Sequence, residues 1–175
     1  MLRKTMLLTL VFCCNAIAAG TSPVADLINQ RLSYMKDVAA DKMAHQRPIE
    51  DSNQEHNVLE ISLRQAEKSG LDCASTAPFV QAQMDAAKAV QYRYRADWLS
   101  SPELNYQPLP LETVRARLTD INMQLLQQIA VILQREGNLH RLSYAQFAQS
   151  LTDKKLSVGD KKRLYTTLQQ IHLHH

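Results

Sequence analysis

Helix-breaking residues are few in this chain and stand far apart, and this constrains the fold more than any other feature. Of 175 residues, four are Gly and six are Pro, so Gly has about a third of its usual ~7% share. β-Branched residues are sparse beside Leu, Ala, Gln and Lys, which leaves little from which to build tight hairpins. An all-α fold is expected. Pro23 opens a segment running to about Gln46, and Pro48 closes it, because the residue before a proline is pushed out of the α region. Asp51 and Ser52 cap a second helix that ends at Gly70, a left-handed C-cap. Ser75 and Thr76, with Pro78 just inside, start a third that reaches Trp98. Residues 99–110 contain Pro102, Pro108 and Pro110 and read as an extended linker. A fourth helix runs from Leu111 to Glu136 and stops at Gly137-Asn138, and two shorter ones are expected near 143–151 and 158–172. The count is about six helices in one bundle-like domain, with three long helices in the half up to residue 98 and one long and two shorter helices in 111–175.

Residues 1–18 stand apart from this pattern. Arg3 and Lys4 precede an apolar run over 6–14 and the small-residue motif Ala16-Ile17-Ala18, the three parts of a secretory signal peptide. The run is too short to span a bilayer. Cleavage near Ala18/Ala19 would leave a domain over 19–175 with 18 basic and 17 acidic residues, periplasmic or secreted. A near-neutral chain without a basic block argues against nucleic acid or a membrane surface as partner. Cys13 and Cys14 would leave with the signal, so Cys73 is alone and no internal disulfide can form. An exported chain of this kind must be held by its core. Residues 69–72 supply neither a base nor a cation to turn Cys73 into a nucleophile.

The chemistry is carried by polar residues on apolar stripes. Ile28, Arg31, Met35, Val38 and Lys42 follow helical spacing, so two cations share one face of the first helix. Eleven residues at 100° each return to within about 20° of the start, which sets Arg31 and Lys42 on one line some ~16 Å apart. The third helix carries Val80, Met84, Ala87, Gln91, Tyr94 and Trp98, interrupted by the Gln91 amide. The fourth carries Leu111, Arg115, Leu118, Asn122, Leu125 and Ile129. A buried cation without a partner costs several kcal/mol. Asp51 and Glu55 could supply anions, or the cations could snorkel at the stripe edge. Three cations and an amide, contributed by three different helices, favour a pocket for a small dianion.

These residues also carry a family resemblance. Arg31-Leu32 with Lys42 eleven residues on, Pro48-Ile49-Glu50-Asp51, Val58-Leu59, Gly70-Leu71-Asp72 and the run from Gln83 to Trp98 resemble the secreted, gamma-class chorismate mutases. The match is strong over 25–98 and beyond the linker rests mainly on Arg115. The resemblance implies rearrangement of chorismate to prephenate, on the route to phenylalanine and tyrosine, with no cofactor and no metal. It implies that Arg31 binds a substrate carboxylate, that Lys42 contacts a carboxylate and the ether oxygen, and that Gln91 donates to that oxygen. Asp51, through its backbone, and Glu55 would hold the ring hydroxyl, and Arg115 would complete the carboxylate site. A homodimer is implied as well.

Two positions depart from the family pattern. Gln54 stands where most members have arginine, and Ala87 where some have Ser or Thr. Gln54 can donate hydrogen bonds but brings no charge. Lys88 and Arg93 lie off the Ala87/Gln91 stripe and read as solvated, as do His45 and His56. His172, His174 and His175 could bind a metal adventitiously, but with no acidic or Cys partner in the sequence nearby they read as a solvated tail. Two rivals stand beside the mutase reading: an isochorismate pyruvate-lyase with a similar pocket, and a non-catalytic helical periplasmic binding or adaptor protein. An adaptor would expose Arg31, Lys42 and Arg115, whereas an enzyme would turn them into one closed pocket.

Overall fold

The spacing of the breakers reappears as the spacing of helices in a computed structural model of the chain, which describes residues 22–141 and 143–174. The signal-peptide segment lies outside the described residues. Seven helical segments occur in order: α1 (Pro23–Ser33), α2 (Met35–Ala44), α3 (Ser52–Lys68), α4 (Cys73–Ser100), α5 (Leu111–Glu136), α6 (Tyr144–Ser150) and α7 (Val158–Leu168). The fold is all-α. α1 and α2 together are the expected first helix, meeting at Tyr34, whose backbone stays in the right-handed helical region. No helix among the described residues is long and apolar enough to cross a membrane.

Capping explains most of the boundaries. The Asp51 carboxylate accepts from the Gln54 amide at 3.1 Å and starts α3. Gly70, at φ +79°, ends it. There the Leu71 amide donates to the Ala66 carbonyl and the Gly70 amide to the Glu67 carbonyl, both at 2.9 Å, a Schellman closure that needs a residue tolerant of positive φ. α4 begins two residues before the Ser75-Thr76 cue, because the Asp72 carboxylate takes the Ser75 amide at 2.7 Å and becomes the cap. Pro78 then sits in the second turn, where it removes one intrahelical bond.

α4 packs against α2, α3 and α7, while α1 and α3 pack against α5. Ile28, Phe79, Leu125, Leu126, Ile129, Phe147, Leu164 and Leu168 are fully buried where these faces meet, each contributing roughly 1.5–3 kcal/mol by burial. α4 continues through residues 99 and 100, expected in the linker, and the segment that follows, 101–110, is non-helical but tethered. Asp37 accepts from the Tyr106 hydroxyl at 2.8 Å and the Leu109 amide at 2.9 Å, and Lys36 donates to Glu103 at 2.5 Å.

One boundary is corrected at the C-terminal end: the last helix stops at Leu168 rather than continuing to residue 172. The His172 and His174 side chains are exposed as expected, but the backbone of 172–174 is paired rather than free. Leu173 forms an antiparallel bridge with Leu71. The Asp72 amide donates to the His172 carbonyl at 3.0 Å and the His174 amide to the Gly70 carbonyl at 2.9 Å. The His172 ring lies 3.7 Å from the Asp72 carboxylate, a partner distant in sequence.

Candidate active site

α1, α2, α3, α4 and α5 surround a cleft that gathers most of the polar residues singled out above. Arg31, Lys42, Asp51, Gln54, Glu55, Ala87 and Arg115 line it, between apolar walls that include Met35, Val38, Ile49, Val58 and Met84. Its volume is about 120 Å³. A second compartment of about 90 Å³ shares Arg31, Gln54 and Arg115 and runs on between α3 and α5 to Ser62, Gln65 and Asn122. The eleven-residue spacing of Arg31 and Lys42 therefore holds across the junction at Tyr34.

Arg31 is 7% exposed, and its Nε has no hydrogen-bond partner. No carboxylate among the described residues is paired with it. Burial alone pushes its pKa down from 12.5 to about 10, so it remains charged at neutral pH. Lys42 donates from Nζ to the Ile49 carbonyl at 2.5 Å. Burial lowers its pKa most, with Arg115 and Arg95 acting in the same direction and Asp51 and Glu55 opposing them. Arg115 reaches the cleft from the start of the second turn of α5 and is paired at 2.9 Å with the exposed Glu112. Of these three cleft cations one is wholly buried and two lie at the edges, and none of the three is neutralised by an ion pair from within the lining.

Gln91 is 5% exposed and sits behind the wall rather than in it. Its Nε2 donates to the Ala87 carbonyl at 3.2 Å and to the Met35 sulfur at 3.5 Å, and its Oε1 is buried without a partner. Both neighbours line the cleft. A thioether is a weak acceptor, so the amide gives up little by turning toward a better one.

Lys88, expected in solvent, lines the cleft and donates to Glu55 at 2.7 Å. Its signal was Met84, one turn earlier on the same face of α4. Arg93 also has partners, Asp160 at 2.6 Å and the Lys155 carbonyl, and ties α4 to α7. His45 and His56 are exposed as expected. The Cys73 thiol is pushed up by burial and by Glu67 and Asp72, as suits an unreactive side chain.

A wider groove of about 660 Å³ lies on the outer surface beside Met43, Arg47, Tyr92 and Leu99. There Arg95 donates to the Arg47 carbonyl at 2.5 Å while its Nε is buried without a partner, and Arg47 lies 3.7 Å from Asp41. The smaller cleft gathers four cations, Arg31, Lys42, Lys88 and Arg115, with two acids, Asp51 and Glu55. Fold and cleft together define an all-helical protein suited to a small anionic ligand.

Comparison with known proteins narrows that class. Residues 15–92 match the chorismate mutase type II family. A secreted chorismate mutase of Yersinia pestis is 44% identical over 149 residues, covering 85% of this chain and 80% of that protein. A monofunctional chorismate mutase of Enterobacter agglomerans is 37% identical over 172 residues, covering 95% and 94%. The crystal structure of the secreted Yersinia pestis chorismate mutase superposes with a TM-score of 0.84 at 42% identity, over 89% of this chain and 100% of that one. The chain belongs to the chorismate mutase type II family.

Proposed function

We propose that the cleft binds chorismate and rearranges it to prephenate, and that the buried, unpaired Arg31 is the observation that carries this assignment. The reaction is intramolecular and pericyclic: the enolpyruvyl side chain must swing over the ring, while negative charge grows on the breaking ether oxygen. It calls for restraint of a compact conformer and for fixed positive charge. Arg31 takes one carboxylate, replacing the anion its burial lacks. Arg115, with Gln54 as a neutral donor, takes the other. Lys42 and Gln91 serve the ether oxygen, Gln91 by turning its amide away from the Met35 sulfur. The Asp51 backbone and Glu55 hold the ring hydroxyl at the start of α3, while Ala87 leaves space beside them. No step requires a covalent intermediate, a metal or a cofactor.

The same observation favours an enzyme over an adaptor, since Arg31 is buried and shares one cleft with Lys42 and Arg115. Purified protein should consume chorismate, followed by its absorbance, and yield prephenate. Turnover no faster than the uncatalysed rate would overturn the assignment, and pyruvate release from isochorismate would replace it with the lyase.

The chain is exported in this reading, supported by the Arg3-Lys4, apolar and Ala16-Ile17-Ala18 sequence and by the secreted relative. N-terminal sequencing of the protein recovered outside the cytoplasm should begin near Ala19. A homodimer is part of the reading too, supported by exposed Met43, Tyr92 and Leu99 on one face; light scattering should give twice the chain mass.

A further inference from the structure

Among the cations lining the cleft, Lys88 has no task in that reaction, yet it is more firmly held than the others. Its Nζ lies 2.7 Å from Glu55 Oε2 and 3.5 Å from Asp85 Oδ1. The other Glu55 oxygen accepts from the Asp51 backbone N–H at 3.3 Å, so the carboxylate is held at both ends, by α4 on one side and by the cap of α3 on the other. Asp85 is fixed in turn by Gln81 at 2.9 Å and by Arg163 of α7 at 2.9 Å. The Lys88 and Glu55 side chains are only 21% and 26% exposed, so solvent screens their charges weakly.

Glu55 presents a difficulty for a dianionic ligand. A bare carboxylate at the rim would repel it, and Gln54 supplies no compensating charge. With four cations and two acids the lining carries a net charge of +2, equal and opposite to two carboxylates. Without Lys88 it would carry +1.

We propose that Lys88 is a positioning residue, which holds the Glu55 carboxylate in one orientation and cancels its charge so that a dianionic substrate can bind beside it. This rests on the cleft being the chorismate site. Glu55 is faced by Arg31 and Lys42 from α1 and α2, by Asp51 at its own cap, by Lys88 and Asp85 from α4, by Arg115 from α5, and through Asp85 by Arg163 from α7. Among the described residues Lys88 is the only cation of these paired with Glu55 at hydrogen-bond distance.

Lys88→Met keeps most of the side-chain stem and removes the charge. At neutral pH KM should rise about tenfold while kcat changes by less than about threefold, as expected for a charge effect on ligand binding. In a Glu55→Gln background, Lys88→Met should cost less than about twofold, since there is no longer a charge to cancel. Lys88→Arg should retain a near-wild-type KM, which separates loss of charge from loss of folding. A neutral-pH KM unchanged in Lys88→Met, or additive losses in the double variant, would overturn the role of Lys88. An inactive wild type would instead overturn the assignment of the cleft.

Discussion

The seam that joins the tail to the α3–α4 turn and the floor of the cleft around Arg31 are built on opposite terms. At the seam, the Asp72 and His174 amides find carbonyls at 3.0 and 2.9 Å, and Leu71 is buried beneath them. On the cleft floor, Arg31 Nε and Gln91 Oε1 are buried with no partner. The first region contributes stability with its polar groups satisfied. The second reduces stability, because one charged donor, Arg31 Nε, and one acceptor, Gln91 Oε1, are buried without a hydrogen bond. The depressed Arg31 pKa corresponds to roughly 3 kcal/mol against the charged form, a large fraction of a typical net stability of about 5–15 kcal/mol. A ligand carboxylate would relieve that cost, so binding strength is stored in the folded state as unpaired charge.

The sharpest way to break this comparison is Arg31→Met. It should lower kcat/KM by roughly two to three orders of magnitude, the scale of 2–5 kcal/mol for losing one partner of a buried charge pair. Thermal stability should rise at the same time, because an apolar side chain of similar volume removes an uncompensated charge. Steady-state kinetics and a melting curve test both. Loss of activity together with loss of stability would mean that Arg31 is a structural residue and that the contrast is false. For the wild type the sign of the pH effect is fixed by the same burial. The folded-state Arg31 pKa is below its unfolded value, so its cost persists through neutral pH and is relieved only as pH rises above about 10.

Gln91→Glu should have the next largest effect, roughly a hundredfold loss at neutral pH, since a donor becomes an anion beside an ether oxygen that is gaining negative charge. The introduced carboxyl would be buried, which raises its pKa above the usual ~4.3. Activity should therefore return as pH falls through that value, because the protonated form donates again. The wild-type amide does not titrate, so its alkaline limit should instead follow Lys42, which loses its proton below the ordinary lysine value. A profile unaltered by the substitution would remove Gln91 from the ether oxygen.

A smaller effect is expected at Gln54, which lines both compartments with Arg31 and Arg115. Gln54→Arg should lower KM by about tenfold through one more charge-assisted bond. It should also lower the melting temperature, since a third guanidinium joins two that lack a carboxylate within the cleft. Chorismate titrations and calorimetry on the same preparation would read both, and a raised KM would show that Gln54 is already the better fit here.

The legible parts of the molecule are those set by local periodicity. Arg31 and Lys42 share a face because of an eleven-residue spacing, and α3 and α5 end at Gly70 and Gly137 because a left-handed cap suits them. What was not legible depends on partners far apart in the chain. Lys88 was misplaced because its environment is set by Glu55, thirty-three residues away, and not by its angle from Ala87. Gln91 was placed at the right depth, but its orientation depends on Met35, fifty-six residues away. The start of α4 moved because Asp72 outcompeted Ser75 as the cap.

The tail is the sharpest case of such dependence, and truncation after Ile171 tests the other side of the comparison. The deletion removes the two backbone hydrogen bonds that make the Leu71–Leu173 bridge and the His172 amide bond to Ser75 Oγ at 3.3 Å, so at about 0.5–1.5 kcal/mol for each bond the loss should be roughly 1.5–4.5 kcal/mol. Ile171, buried at 3%, is kept, which confines the change to the seam. None of the lost contacts touches the cleft lining, and kcat and KM should stay within about twofold of wild type where the variant is folded. Denaturant unfolding followed by kinetics at low temperature separates the two effects. Should the truncated chain keep full stability, the bridge would be incidental; should it lose activity while folded, the seam and the cleft would be coupled through α4, whose cap Asp72 belongs to one and whose Lys88 and Gln91 belong to the other.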